Sequence, residues 1–253
     1  MIHQVFFIII GLIIGSFLNV CIYRLPKRES LLFPSSHCTH CNEPIKFYDN
    51  IPIVSYIILG GKCRRCKKHI SVRYPVVEGL SGLLCIALFI KYGLTIQSLL
   101  YFSFAASLLI ITFIDIDYQF IPDIISIPGI FIGIGASFFI PLISLFESLF
   151  GILIGGGFLF IVAIGYKWLT GRDGMGGGDI KLLAMAGAWL GWKAIPFILL
   201  SSSLIGALIG GGSLLINKKG LRYKIPFGPF LSLASIIYIF FGPELINWYM
   251  TWG

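Results

Sequence analysis

The chain has 253 residues, of which 57% are hydrophobic and only 12% charged, about half the charged share of a soluble domain. That balance, with a mean hydropathy of +0.92, excludes a soluble globular protein and predicts a polytopic membrane protein. The net charge of +8 is expected to report membrane topology and contact with anionic lipid headgroups; no nucleic acid partner is expected.

A helix crosses a bilayer with about 20 apolar residues. Candidate spans lie near 4–23, 76–93, 96–117, 122–143, 146–168, 179–192, 194–216 and 226–249, with 179–192 the shortest. The expected fold is therefore an all-α polytopic membrane protein of about eight transmembrane helices, with a small cytoplasmic zinc-knuckle domain between the first and second. The first span has no small-residue cleavage site, so it reads as a retained helix rather than a signal peptide. Three domains are expected: 1–26, the first transmembrane helix; 27–75, a cytoplasmic tetracysteine domain; and 76–253, a transmembrane core. With the N-terminus outside, all of the 19 lysines and arginines except Lys91 and Lys193 fall on the cytoplasmic side, as the positive-inside bias requires. Trp248, Tyr249 and Trp252 then fit an interfacial aromatic belt on the outer side.

Taken in order, the first span ends in Gly15 to Pro26. Asn19 within it is read as a helix-packing hydrogen bonder. Tyr23 and Arg24 mark the interface, and Pro26 prevents simple continuation of the helix. The polar segment that follows holds Cys38-Thr39-His40-Cys41 and, after 21 residues, Cys63-Arg64-Arg65-Cys66. Each short turn aims two sulfurs at one point, so Cys38, Cys41, Cys63 and Cys66 read as a structural four-thiolate zinc site with no open position. A pair of disulfides is disfavoured in a cytosolic loop. Lys62, Arg64, Arg65, Lys67 and Lys68 would offset the thiolate charge, and His37, His40 and His69 are read as ordinary surface histidines. Cys21 and Cys85 lie in apolar spans as inert packing residues. Glu78 keeps two readings, a snorkelling interfacial charge or part of a polar site at the inner surface.

The third span closes with Asp115-Ile116-Asp117 and turns at Pro122-Asp123. Residues two apart on a helix point about 200° apart, so only one of the first two aspartates can meet a partner elsewhere. Asp115 lies deeper and needs the stronger reason to exist, whereas Asp117 reads as a solvated helix-end charge. Asp123 is expected to N-cap or stabilise the next helix start. Gly155 to Gly157 and Gly210 to Gly212 read as close-packing patches, since no strand precedes either. The stretch Gly174 to Lys181 then delivers Asp179 to the mouth of a span, and an ionisable residue at the edge of hydrocarbon is a functional candidate by default.

Asp115 and Asp179 fall on the same side of the membrane in this topology. Two adjacent carboxylates share one proton, the arrangement of an aspartyl protease. Gly176, Gly177 and Gly178, with Lys181, form the candidate substrate-binding stretch, because glycines let an extended peptide backbone approach closely. No histidine lies in the membrane core to build a Ser-His or Cys-His site. A proton or cation transporter using the same aspartates is the alternative, though the inner-face placement and lack of an internal repeat fit transport poorly. A scaffold docking a partner on the knuckle leaves the aspartates unexplained.

These residues, in this order, closely resemble the type IV prepilin peptidases, bacterial GxGD membrane aspartyl proteases. The likeness covers nearly the whole chain. It rests on Gly15 to Pro26, on the two C-x-x-C pairs around Asp49-Asn50-Ile51-Pro52, and on Arg73-Tyr74-Pro75 with Val77-Glu78. The Asp115 to Asp123 block and the Gly176 to Leu182 run complete it. Thr39 stands where many relatives have proline. The resemblance implies that Asp115 and Asp179 are catalytic and that a short basic leader is cleaved from prepilins and pseudopilins after a glycine, at the cytoplasmic face of the bacterial inner membrane. It further implies methylation of the new N-terminal amine with S-adenosylmethionine as methyl donor, with residues 38–80 the place to look and Glu78 a participant.

Overall fold

A computed structural model describes residues 2–141, 143–171, 176–217 and 226–251. The Gly174-Met175 start of the glycine loop, Arg172, the basic loop with Lys218, Lys219, Arg222 and Lys224, and Trp252 lie outside the described residues, as do the side chains of Gly210 to Gly212, Trp248 and Tyr249. The fold is all-helical, with no strand among the described residues. The helices are α1 (Ile2–Arg24), α2 (Val54–Ile58), α3 (Arg73–Tyr92), α4 (Ile96–Tyr118), α5 (Asp123–Ala136), α6 (Leu145–Thr170), α7 (Gly177–Leu190), α8 (Ala194–Asn217) and α9 (Gly228–Thr251). All but the short α2 correspond to the expected spans. By length and composition α1, α3, α4 and α6 are each able to cross a membrane. Long apolar side chains on α6, among them Leu153, Phe160 and Ile161, stand exposed, as a lipid-facing helix allows.

One span is shorter than its apolar run. The run from 122 to 143 reads as continuous, yet α5 ends at Ala136. Pro141 has no N–H to give and disfavours helix in the residue before it, so the chain leaves through tight turns, with Phe139 N–H donating to Ala136 O at 2.9 Å and Ile143 N–H to Ile140 O at 3.1 Å.

By packing the chain falls into two compact units, Met1–Ile110 and Ile111–Gly253, with the division inside α4. In the first, α1 lies against α3 through small residues. A Cβ added at Gly11 would come within 2.7 Å of the Cys85 Cβ, so the two backbones approach as closely as membrane helices can. Ser81 Oγ donates to Gly11 O at 2.7 Å, and Asn19 Nδ2 donates to Tyr74 O at 3.0 Å, the packing bond expected of it. Arg24 does more than mark an interface. It is buried and donates to Ser30 O at 2.8 Å and to Pro34 O at 2.6 Å, which fastens the start of the polar loop to the end of α1.

In the second unit α7 is the central element. Every residue from Leu182 to Leu190 is buried, against α5, α6 and α9. A helix wrapped in protein has no lipid thickness to match, which explains why 14 residues suffice. Its closest neighbour is α6, where Gly151 and Gly187 bring the two backbones together. A Cβ at Gly151 would lie 2.2 Å from Gly187 O, and one at Gly187 would lie 2.1 Å from Gly151 O. Ser148 Oγ donates to Ala188 O at 2.8 Å, and Trp189 Nε1 to Gly129 O at 2.8 Å. A capping box between Ser144 and Glu147 starts α6.

Gly151→Ala is therefore expected to destabilise the protein by about 1–3 kcal/mol through overpacking against a backbone that cannot rotate away. Gly157→Ala, where nothing lies within 4 Å, should leave the Tm in detergent unchanged. Equal melting of the two variants would contradict this packing.

Candidate functional site

The residues singled out by sequence fall at two places, one in each unit. In the second unit the site is built from three helix ends. Helix α4 stops at Tyr118, and Gln119 takes φ +57°, the left-handed conformation that commonly ends a helix. Ile121 then precedes Pro122, which caps α5. Asp123 is therefore the first helical residue of α5 rather than its cap, where its charge still suits the helix start. Asp115, one turn back from the end of α4, is buried, whereas Asp117 is exposed, as their opposite facing requires.

The Asp115 carboxylate is held from α9. The Gly228 N–H, at the first residue of that helix, donates to Asp115 Oδ2 at 3.0 Å. A side chain at Gly228 would not fit, since its Cβ would lie 2.6 Å from the same oxygen and 3.2 Å from Ile121 Cδ1. Ile121 also closes on α7, where a Cβ at Gly178 would meet the Ile121 Cβ at 2.8 Å. Asp179 follows immediately, in the first turn of α7 and half-buried, within range of the Asp115 charge. Both carboxylates thus sit at helix N-termini, where backbone N–H groups favour negative charge. Gly176 and Gly177 are exposed beside them. Lys181 is engaged by Asp123, its Nζ donating to the two carboxylate oxygens at 2.7 and 2.8 Å, and so joins α7 to α5. Sequence reasoning missed Gly228 and Ile121. The available signal was a glycine wedged between Phe227 and Pro229 at a helix start.

In the first unit the four expected cysteines come together. One sulfur from each of Cys38, Cys41, Cys63 and Cys66 lies within 4.8 Å of all the others, and Cys38 Sγ is 3.8 Å from Cys66 Sγ. A tetrahedral ion with metal–sulfur bonds of about 2.3 Å requires sulfurs about 3.8 Å apart. All six cysteines are free thiols. The two turns repeat each other bond for bond. Cys38 N–H donates to Glu43 O and Asn42 N–H to Cys38 O, as Cys63 N–H does to Lys68 O and Lys67 N–H to Cys63 O. Asn42 and Lys67 both take positive φ, and the bridges His37–Pro44 and Lys62–His69 close the two turns alike.

The thiols are poised for a cation. Burial pushes Cys38 up, but hydrogen bonds from the backbone of His40 and Cys41 and from the Cys41 and Cys63 thiols outweigh it and bring the thiol down to about 7. At Cys41 the Glu43 backbone pulls down, while burial and the Cys38 and Cys66 neighbours push it up to about 11. Thiols packed this tightly do not all ionise without a positive charge among them, and the donor set fits a tetrahedral divalent ion. Two of the flanking bases are matched elsewhere. Arg64 makes a two-pronged bond to Asp49, with Nη2 to Oδ1 at 2.6 Å and Nε to Oδ2 at 2.8 Å, and Arg65 pairs with Glu43. The hydrogen bond from Arg64 holds the Asp49 carboxyl below the usual carboxylate range.

Comparison with known proteins bears on both places. Residues 9–92 match the model of the bacterial peptidase A24 N-terminal domain, and residues 102–211 match that of the type IV leader peptidase family. A protein of Pseudomonas putida named prepilin leader peptidase/N-methyltransferase is 38% identical over 94% of this chain and 90% of its own length. Proteins of the same name from Aeromonas hydrophila, at 38% over 95% of this chain and 91% of theirs, and from Burkholderia pseudomallei, at 34% over 94% and 85%, are similar. No solved structure matches the chain. A transporter finds no support among these relatives.

Two outcomes test the first-unit site. Protein purified without chelator is expected to carry about one metal ion per chain, and none after Cys38→Ser with Cys63→Ser; a metal-free wild type would remove the site. The Asp49–Arg64 bond lowers a folded-state pKa, so its contribution is present above the unfolded carboxylate value of about 3.9 and is lost as pH falls through the depressed one. Amide exchange across 47–65 should accelerate in that acid window in the wild type, and be fast throughout in Asp49→Asn. A wild type with no acid-dependent change would contradict the pairing.

Proposed function

The chain belongs to the type IV leader peptidase family, and from that premise we propose that it removes the short leader of prepilins and pseudopilins with Asp115 and Asp179, and then methylates the new N-terminal amine. The observation that carries the peptidase reading is the meeting of three helix ends around Asp115, with Gly228 N–H fixing one of its oxygens and Asp179 in the first turn of the neighbouring helix.

In this reading a water molecule lies between the two carboxylates and the scissile carbonyl. Asp115 keeps Oδ2 committed to the Gly228 amide and takes the proton of the attacking water on its other oxygen. Asp179 begins protonated and gives its proton to the carbonyl oxygen, forming a tetrahedral diol. Collapse of the diol breaks the C–N bond, with a proton passing to the leaving amine. The exposed Gly176 and Gly177, with Gly178, receive the extended leader backbone, and the Lys181–Asp123 pair forms the rim of that stretch. The exposed Asp117 supports a basic leader as substrate, since opposite charge draws it toward the site.

The ion held by the four cysteines is assigned as zinc, which favours closed tetrahedral thiolate sites of this kind. Its role is structural, and the methyl donor is S-adenosylmethionine. The distribution of the lysines and arginines supports a cytoplasmic position, at the inner membrane, for both the polar loop and the aspartates. There the leader of a substrate whose hydrophobic helix lies in the bilayer emerges beside the catalytic pair.

Asp115→Asn and Asp179→Asn are each expected to slow cleavage of a prepilin peptide by at least about 100-fold with unchanged Tm. Gly228→Ala, which displaces the Asp115 carboxylate without altering it, should cost about 100-fold in kcat. Wild-type cleavage by either asparagine variant would overturn the dyad.

A further inference from the structure

The first unit contains a feature that leader cleavage does not use. The polar loop and the α1–α3 pair enclose a cavity of about 860 Å³, within the roughly 300–1,000 Å³ of sites that hold nucleotide-sized ligands. Four buried polar side chains line it, Asn19, Arg24, Ser55 and Glu78. Glu78 is 7% exposed, accepts the Ile53 N–H on Oε2 at 2.7 Å, and forms no ion pair among the described residues. Asn19 is 2% exposed. Its Nδ2 is used in helix packing, but its Oδ1 is buried with no partner.

The buried Asn19 Oδ1 and the Glu78 carboxylate give the cavity acceptors and negative charge that the protein does not fully answer. Of the cations that line it, Arg24 is committed to the loop carbonyls, Arg64 to Asp49 and Arg65 to Glu43, while Lys46, Lys68 and Arg73 also line the space. Ile53, whose N–H reaches Glu78, holds φ +60°, a conformation a β-branched residue adopts only when its surroundings enforce it. Tyr23, Tyr56 and Tyr74 also line the space, aromatic surface of the kind a purine ring packs against. A ligand with a cationic and an anionic group at one end and an aromatic ring at the other matches this lining.

We propose that this cavity binds the methyl donor, a purine nucleoside carrying sulfonium and ammonium charges, with Glu78 and Asn19 Oδ1 receiving its cationic end. The assignment rests on the methylation reading above. The bound donor supplies an electrophilic methyl group on sulfur. Glu78 balances its charge, Asn19 orients it, and the Ile53 amide keeps the carboxylate aimed. On this account Cys38 and Cys63, which also line the cavity, support it by holding its loop wall in shape.

The test is equilibrium dialysis of tritiated S-adenosylmethionine against the full-length, metal-loaded protein in detergent, followed by ultraviolet cross-linking and peptide mapping. Wild type should bind and be labelled within residues 16–78. Glu78→Gln should bind at least about 10-fold more weakly, as expected for loss of a charged partner. Asn19→Asp, which keeps the acceptor and adds negative charge, should bind no more weakly than wild type. An unchanged Tm and about one metal ion per chain report that the first unit of Glu78→Gln is folded, and leader cleavage reports the same of the other unit. Label confined to residues beyond 110, or undiminished binding by a folded Glu78→Gln, overturns the cavity assignment while methylation stands. A wild type that neither binds the donor nor methylates processed pilin overturns the methylation reading and this proposal with it.

Discussion

A carboxylate buried near the end of an apolar helix is stable only if something nearby answers its charge, and in this protein a single backbone amide does so. The Gly228 N–H reaches Asp115 Oδ2 because α9 begins there, and a side chain at Gly228 would collide with that oxygen. The features around it follow. Helix α4 must end within one turn of Asp115, which the left-handed Gln119 achieves. Ile121 must fill the gap between the starts of α7 and α9, which leaves room for glycine alone at 178 and 228. Helix α7, carrying Asp179 in its open first turn, is then buried from Leu182 to Leu190, and the Gly151–Gly187 contact brings its backbone against that of α6.

The first unit solves a different problem. A polar loop of this size has too little apolar side-chain area to fold alone, and it is held at three points. Arg24 clasps its beginning, Glu78 takes the Ile53 amide in its middle, and the four thiols join the two matching turns. None of these would suffice singly. The four thiols bring the turns together, and Arg24 and Glu78 fix the loop to the helices. That division of labour leaves a cavity whose walls are helix on one side and the cysteine-bearing loop on the other.

Much of this was legible in the chain. Apolar runs located the long helices because hydrocarbon thickness imposes a length, and the exception, α5, shows a proline overriding composition. The C-x-x-C spacing announced the cysteine cluster because two-residue turns have few geometries. The facing argument separated Asp115 from Asp117. What was not legible depended on pairings distant in sequence. Arg24 read as an interfacial charge because its carbonyl partners lie in a loop without pattern. Gly228 was invisible because its contribution is a backbone N–H, which no residue type advertises. Lys181 stood in the substrate-binding stretch with nothing to indicate Asp123, 58 positions earlier. Glu78 kept two readings until Ile53 and the cavity placed it.

The account stands on Asp115 and Asp179 forming one site. The direct measurement replaces both with cysteine, treats membranes with a short bifunctional thiol reagent, and maps linked peptides by mass spectrometry, with Asp123→Cys/Lys181→Cys as the control pair, whose native side chains touch. A peptide joining 115 to 179, formed as readily as the control and lost on unfolding, is the predicted result. A control that links while 115 and 179 remain separately modified would place the carboxylates too far apart to share a water molecule.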